Sequence, residues 1–248
     1  MNIDIINNRL IRLVPDYIDA TSDPRKRLYT LLTLINVDVP SDLCQYIEEI
    51  LLRERSDIVS FNEMPITKQI GCCNSQLILY KGDITKLAVD AIVNAANFAM
   101  LGCFDPTHKC IDNVIHSKAG PRLRMECRSI YQKQGKLESN ARITYGYCLP
   151  CKYIIHVAGP IYDPNKKNQV NELANCYSSS LDVAKAFGIK TIAFCCISTG
   201  LYSYPKKEAA CIAINIVKQW SKINNYGIAV IFNTFTEDDH LIYKEALC

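Results

Sequence analysis

From Gln76 to the C-terminus the chain repeatedly sets a short apolar, strand-forming run ahead of a longer stretch with helical spacing, and that alternation leaves few folds open. The runs fall at 77–80, 91–93, 142–147, 153–157, 191–195 and 228–232. Between them lie helical patterns over 111–119, through Leu123, Cys127 and Ile130, and over 168–187, 205–222 and 238–247. Gly188 ends the third of these, and Pro205 stands at the first turn of the fourth. The pattern predicts an α/β layer fold. In open α/β sheets ligands bind beyond the carboxyl ends of the strands. Asn94 and Asn97, His156 with Gly159, and Ser198-Thr199-Gly200 all fall there, so a site is expected along that edge.

The first seventy residues read differently. Asp23-Pro24 is a helix start, with Asp as cap and Pro at the first helical position. Leu28, Leu31, Leu32 and Ile35 then share one face. Pro40-Ser41-Asp42 opens a second helix in which Leu43, Ile47, Ile50 and Leu51 recur at helical spacing. These stripes face a core. The division predicted is therefore a helical N-terminal extension over 1–70, packed on an α/β domain over 71–248. Residues 62–75, with Pro65 and Gly71, are expected to form a connector or an exposed hairpin.

Composition excludes several classes. No stretch approaches the ~18 apolar residues of a membrane helix, and the first residues lack a secretory apolar core. Thirteen cysteines without such a leader point to reduced thiols and a cytoplasmic or nuclear setting. A net charge of +3 is too small to argue for nucleic acid. Its distribution is uneven: 1–70 carries 8 basic and 11 acidic residues (−3), and 71–248 carries 20 and 14 (+6). A basic body favours an anionic small ligand, as it also suits a solvated surface.

One loop concentrates ligand chemistry. Cys103, His108 and Cys110 lie within eight residues, and Asp112 follows two positions later. Thiolate and imidazole suit zinc, and three protein ligands leave a position open. Ordinary buried thiols are the alternative, since Cys72-Cys73, Cys148-x-x-Cys151 and Cys195-Cys196 show how common cysteine is in this chain.

Five motifs in order complete the pattern: Gly82-Asp83-Ile84-Thr85, Val89-Asp90-Ala91-Ile92-Val93-Asn94-Ala95-Ala96-Asn97, Ile111-Asp112-Asn113-Val114-Ile115-His116, Ile155-His156-Val157-Ala158-Gly159-Pro160 and Ile197-Ser198-Thr199-Gly200. Together they resemble the macrodomain family from about Gln76 onward. The glycine-rich run usual after Asn-Ala-Ala-Asn is replaced here by the Cys/His loop. That departure, with the N-terminal extension, is similar to the zinc-containing macrodomains of microbes, the sirtuin-associated type of ADP-ribosyl hydrolase.

The resemblance implies a three-layer α/β/α fold with a central mixed sheet. It implies one Zn2+ per chain, held by Cys103, His108 and Cys110. Asp83, with Ile84 beside it, would accept from the adenine amino group, and Ser198, Thr199, Gly200, Leu201 and Tyr202 would surround the diphosphate. Ser203-Tyr204 stands where members often carry a Gly-Phe pair. Asn97 would bond the distal ribose, Asn94 would brace the strand end, and Asp112 would position or activate water. His116, taken to lie on the far turn from Asp112, and His156 are expected to be structural, as is Cys148-x-x-Cys151. The activity implied is zinc-dependent removal of mono-ADP-ribose from protein side chains, with Asp or Glu esters as the target. The expected partners are an ADP-ribosylated protein and the product ADP-ribose, with no membrane or nucleic acid, for a monomer. The rivals are a binding module without turnover, an enzyme acting on O-acetyl-ADP-ribose, and a scaffold whose N-terminal helices bind a partner.

Overall fold

Three helices open the chain, and each follows from its ends. The computed structural model describes residues 2–70 and 74–248. Helix α1 (Ile3–Ile11) is capped by Asn2, and α2 (Pro24–Leu34) by Asp23, whose carboxylate accepts from the amides of Arg25 and Lys26. Helix α3 (Ser41–Arg53) begins after Pro40. The two predicted stripes converge, with Leu28, Leu31, Leu43 and Ile47 buried in one cluster, and α1 adds Ile6 and Leu10 to it.

The remainder alternates as expected. The strands are β1 (Val59–Ser60), β2 (Lys68–Ile70), β3 (Ser75–Lys81), β4 (Leu87–Ala88), β5 (Ala91–Ala95), β6 (Arg142–Tyr145), β7 (Tyr153–Val157), β8 (Thr191–Phe194) and β9 (Ala229–Thr234). The helices are α4 (Ile111–Ala119), α5 (Pro121–Gln134), α6 (Gln169–Ala186), α7 (Lys206–Asn224) and α8 (Glu237–Leu247). Seven strands form one mixed sheet in the order β2-β3-β9-β8-β5-β7-β6, while β1 and β4 make a short parallel ribbon. From β3 to β7 every pairing is parallel, and the outer strands β2 and β6 run antiparallel. Strands buried on both faces read as continuous apolar runs, as Ala91-Ile92-Val93 and Ala229-Val230-Ile231-Phe232 do. Helices α6, α7 and α8 pack side by side, while α4 and α5 form a second set that receives α2.

The sheet starts earlier than the expected division at 70/71. Lys68–Ile70 pairs antiparallel with Ser75–Leu77, so that division falls inside a hairpin whose first strand belongs to the sheet. Gly71, Cys72 and Cys73 lie outside the described residues. The extension is docked by side chains reaching across. Arg55 donates from Nε to the Cys148 carbonyl at 2.6 Å and from Nη2 to the Leu149 carbonyl at 2.8 Å. The Cys148 side chain is itself part of the extension's apolar cluster. Cys148 and Cys151 are both buried and free. No described helix is long and apolar enough to cross a membrane.

Leu31 is fully buried at the centre of the extension. Leu31→Ala is expected to lower the unfolding free energy by about 2–5 kcal/mol. Urea denaturation followed by circular dichroism measures it.

Candidate functional site

The site is built where β5 ends and α4 begins. Asn94, the fourth residue of β5, is fully buried and sends its amide into the interior. Its Nδ2 donates to Asp112 Oδ1 at 2.8 Å and lies 3.2 Å from His156 Nδ1. Asp112 stands in the first turn of α4, where the helix dipole favours an anion. It is nevertheless only 5% exposed, and burial pushes its pKa up to about 6 against the pull of Asn94, the Asn97 amide and Arg124. Its second oxygen accepts from the Asn97 backbone at 3.2 Å. Asn94, expected to brace the strand end, instead holds the carboxylate and the His156 ring with its side chain.

Asn97 behaves otherwise. Its Nδ2 donates to the Gly102 carbonyl at 2.8 Å and its Oδ1 accepts from Ala99 at 3.0 Å, so the side chain expected on a ribose is engaged with its own loop. His116 also needs correction. It does not lie on a far turn: spacing of four residues puts its Nε2 3.5 Å from Asp112 Oδ1. Neither ring nitrogen makes a hydrogen bond, and burial holds the imidazole neutral, well below its usual pKa. Its structural reading survives on burial, not on distance from the acid.

The Cys/His loop closes on itself beside this point. Cys103 Sγ lies 3.4 Å from His108 Nδ1, and His108 Nε2 lies 3.2 Å from Asp105 Oδ2. Two ligands of a tetrahedral zinc stand about 3.6 Å apart, given Zn–S of about 2.3 Å and Zn–N of about 2.0–2.1 Å. An imidazole with one nitrogen toward the ion and the other toward a carboxylate is the usual ligand arrangement. Burial pushes the Cys110 thiol up to about 11, with Cys103 and Asp112 close enough to raise it further. The donor chemistry suits zinc and Cys103 and His108 stand at ligand spacing, but the ligand atoms of Cys103, His108 and Cys110 are not all gathered within 4.8 Å of one another. Among the described residues, a tighter set exists elsewhere: ligand atoms of His116, Cys127 and His156 lie within 4.8 Å of one another. There, however, both His156 nitrogens are taken, Nδ1 by Asn94 and Nε2 by Thr144 Oγ1 at 2.9 Å. That group is a polar knot within the core, with His156 held between Asn94 and Thr144.

The loop after β8 forms the opposite wall. Ser198 and Ser203 hold left-handed backbone at φ 66° and 53°, the second at the place where a glycine is common in the resembling family. A Cβ on Gly200 would meet no atom within 4 Å, so space beside that backbone is open. A Cβ on Gly159 would fall 2.1 Å from Ser198 Oγ, which keys the turn after β7 to this loop. The Tyr202 ring stacks on Phe98 at 6.3 Å, and its phenol is pushed up by burial and by Asp112 and Cys110 nearby. Tyr204, by contrast, is buried against Tyr162. Leu201 is largely exposed.

At the far end of the edge Asp83 caps a turn over Ile84–Lys86, accepting from the Thr85 amide at 3.0 Å. Burial would raise its pKa, but Lys118 Nζ at 2.7 Å and the Thr85 hydroxyl prevail and hold it below the usual range. Ile84 is buried, so its backbone rather than its side chain borders the edge. Two residues here escaped the sequence reading. Lys118, 35 positions on, is the partner of Asp83. Phe235, 77% exposed, follows β9 just where Gly82 donates to the Thr234 carbonyl. An aromatic residue directly after the last strand was the available signal for it.

A mixed sheet flanked by helices, with its polar site along the carboxyl edge, is the architecture of the macrodomain class. Residues 93–213 match the Macro domain family. The chain is 39% identical over 251 residues to a protein-ADP-ribose hydrolase of Treponema medium, covering 96% of this chain and 95% of that one. It is 47% identical over 174 residues to a protein-ADP-ribose hydrolase of Staphylococcus aureus, covering 68% and 65%. The crystal structure of a Trypanosoma brucei macrodomain in complex with ADP-ribose is similar at a TM-score of 0.68 and 26% identity, over 97% of this chain and 95% of that one. The chain belongs to the macrodomain family.

Burial lowers the His156 pKa from 6.5 to about 3. Between those values the unfolded chain binds a proton that the native chain refuses, so His156 makes stability fall as pH falls. The stability of the native protein relative to His156→Asn is expected to drop by up to about 1.4 kcal/mol per pH unit from pH 6.5 downward. Denaturant titrations of both proteins across that range measure the slope.

Proposed function

We propose that this chain is a zinc-dependent hydrolase that releases ADP-ribose from modified protein side chains. Its substrate is a single ADP-ribosyl unit esterified to Asp or Glu. One observation carries the reading: Cys110 caps the helix whose first turn holds Asp112, the Asn97 amide bonds that carboxylate, and Tyr202 of the Ser198–Tyr202 loop stacks on the adjacent Phe98. The relatives named as protein-ADP-ribose hydrolases support the activity, and the +6 balance over 71–248 supports an anionic ligand.

In this reading the nucleotide lies along the carboxyl edge. Asp83, kept ionised by Lys118, accepts from the adenine amino group, and the exposed Phe235 ring offers a face for the base to stack on. Backbone amides of Ser198–Tyr202 cradle the diphosphate in the open space beside Gly200. The distal ribose then reaches the Asn97 and Asp112 end. Asp112, fixed by Asn94 and the Asn97 amide, retains one lone pair on each oxygen with which to hold a water or ribose hydroxyl. Cys103, His108 and Cys110 would hold the zinc, which when bound supplies Lewis acidity and lowers the pKa of a nearby water.

The test is release of ADP-ribose from an automodified protein, with and without chelator. Release that chelator abolishes is expected. Release indifferent to chelator would remove zinc from the reading, and ADP-ribose binding without release would make the chain a binding module. Gly200→Glu places a charge in the diphosphate space and is expected to abolish binding in calorimetry. Cys110→Ser is expected to lose the metal, about one per chain by elemental analysis, while keeping the sheet folded. Asp112→Ala is expected to retain zinc and ADP-ribose but to lose turnover by about 10²–10⁴-fold.

A further inference from the structure

The helical extension touches the ligand loop through two buried polar residues that the proposed reaction does not use. The first is Asn113, next to Asp112 in the first turn of α4 and 6% exposed. Its Nδ2 donates to two loop carbonyls, Asp105 at 3.2 Å and His108 at 2.8 Å. Both amide hydrogens are therefore engaged on the segment between Cys103 and Cys110. Its Oδ1 faces the Thr33 hydroxyl at 3.0 Å, and Thr33 belongs to the last turn of α2. A hydroxyl that donates to Oδ1 dictates which way the amide points. The same hydroxyl also lies 3.0 Å from the Tyr29 carbonyl of its own helix, so its single hydrogen is shared between that carbonyl and Asn113 Oδ1.

The second residue is Arg124 of α5, 5% exposed. Its Nη1 donates to the carbonyls of Leu32 at 2.8 Å and Ile35 at 2.6 Å, two of the acceptors that the end of α2 leaves without helical partners. Its Nε donates to Leu101 at 2.7 Å, immediately before the loop, and its guanidinium lies 4.8 Å from the centre of the Phe104 ring. One turn of the extension, from Leu32 to Ile35, is thus connected to the loop at Leu101, Phe104, Asp105 and His108.

We propose that the last turn of α2 sets the conformation of the Cys103–Cys110 loop, with Thr33 and Asn113 as positioning residues that align the loop's ligands for a cation. The proposal takes the cation to be zinc on the reading given above. A partner that orients a ligand from behind typically controls metal affinity by 10–100-fold. Here that partner comes from the extension, some seventy residues before the loop.

Thr33→Val removes the hydroxyl and keeps the shape, and Thr33→Ser restores the hydroxyl. Zinc affinity is measured by competition with a chromogenic chelator, under conditions where circular dichroism shows each protein folded. Hydrogen exchange over 101–110 is measured alongside. Thr33→Val is expected to bind zinc about 10-fold more weakly and to exchange faster over 101–110, and Thr33→Ser to return both to native values. Asn113→Ala is expected to weaken zinc at least as much. Equal affinity and equal exchange in the native protein and Thr33→Val would overturn the proposal. Should the native protein bind no zinc, the metal reading fails by itself and exchange decides: faster in Thr33→Val sustains the positioning role, unchanged overturns it.

Discussion

A single carboxyl group withdrawn from water organises this molecule. Asp112 is tolerable in the interior only because donors meet both of its oxygens, and those donors come from the end of β5 and the turn beyond it. Each partner is fixed in turn. Asn94 is held between Asp112 and His156, and His156 between Asn94 and Thr144 of the neighbouring strand β6. The register of three strands, β5, β7 and β6, is therefore tied to where the first turn of α4 begins. Because Cys110 is the cap residue of that helix, the same constraint decides where the ligand loop must end.

The loop itself has no regular structure, and its order comes from outside. The carbonyls of Leu101, Asp105 and His108 are bonded by side chains of α5 and α4 that also contact the extension, and that of Gly102 by Asn97. Two apolar clusters, one within the sheet and one among α1, α2 and α3, are thereby joined by buried polar contacts in addition to the apolar contacts of Cys148 and Met125. Buried hydrogen bonds are directional, and a missing partner leaves a costly orphan. That makes the joint specific where an apolar contact would tolerate sliding.

Much of this was legible in the residues. Ile111–Ala119 and Tyr153–Val157 stand where the patterns put them, the helix ended by Gly120 and the strand an apolar run ahead of Ala158-Gly159-Pro160. The cap at Asp23 was readable for a similarly local reason, an Asp directly before a Pro. Lys68–Ile70 was harder: three residues carry no period, and their membership in the sheet depends on pairing with β3. The site was legible as a set of residues but not as a set of bonds. Asn97 could be placed at the right edge, yet the carbonyl that occupies it belongs to a loop with no regular pattern. Lys118 beside Asp83, and Thr33 beside Asn113 across 80 positions, are tertiary contacts that no local pattern encodes. His116 was misplaced for a simpler reason, since residues four apart on a helix share a face.

The hairpin at the sheet's margin carries a consequence for anyone dividing the chain. β2 covers the backbone of β3 along its outer side, and Lys68 reaches from it to the Leu247 carbonyl at the end of α8. Cutting at the apparent junction after residue 70 would strip that cover and leave β3 with a bare row of amides and carbonyls. Such a margin recruits the next available strand, and in solution that is a second copy of the same molecule. A fragment trimmed there would tend to self-associate, and its aggregation would say nothing about the fold it was cut from.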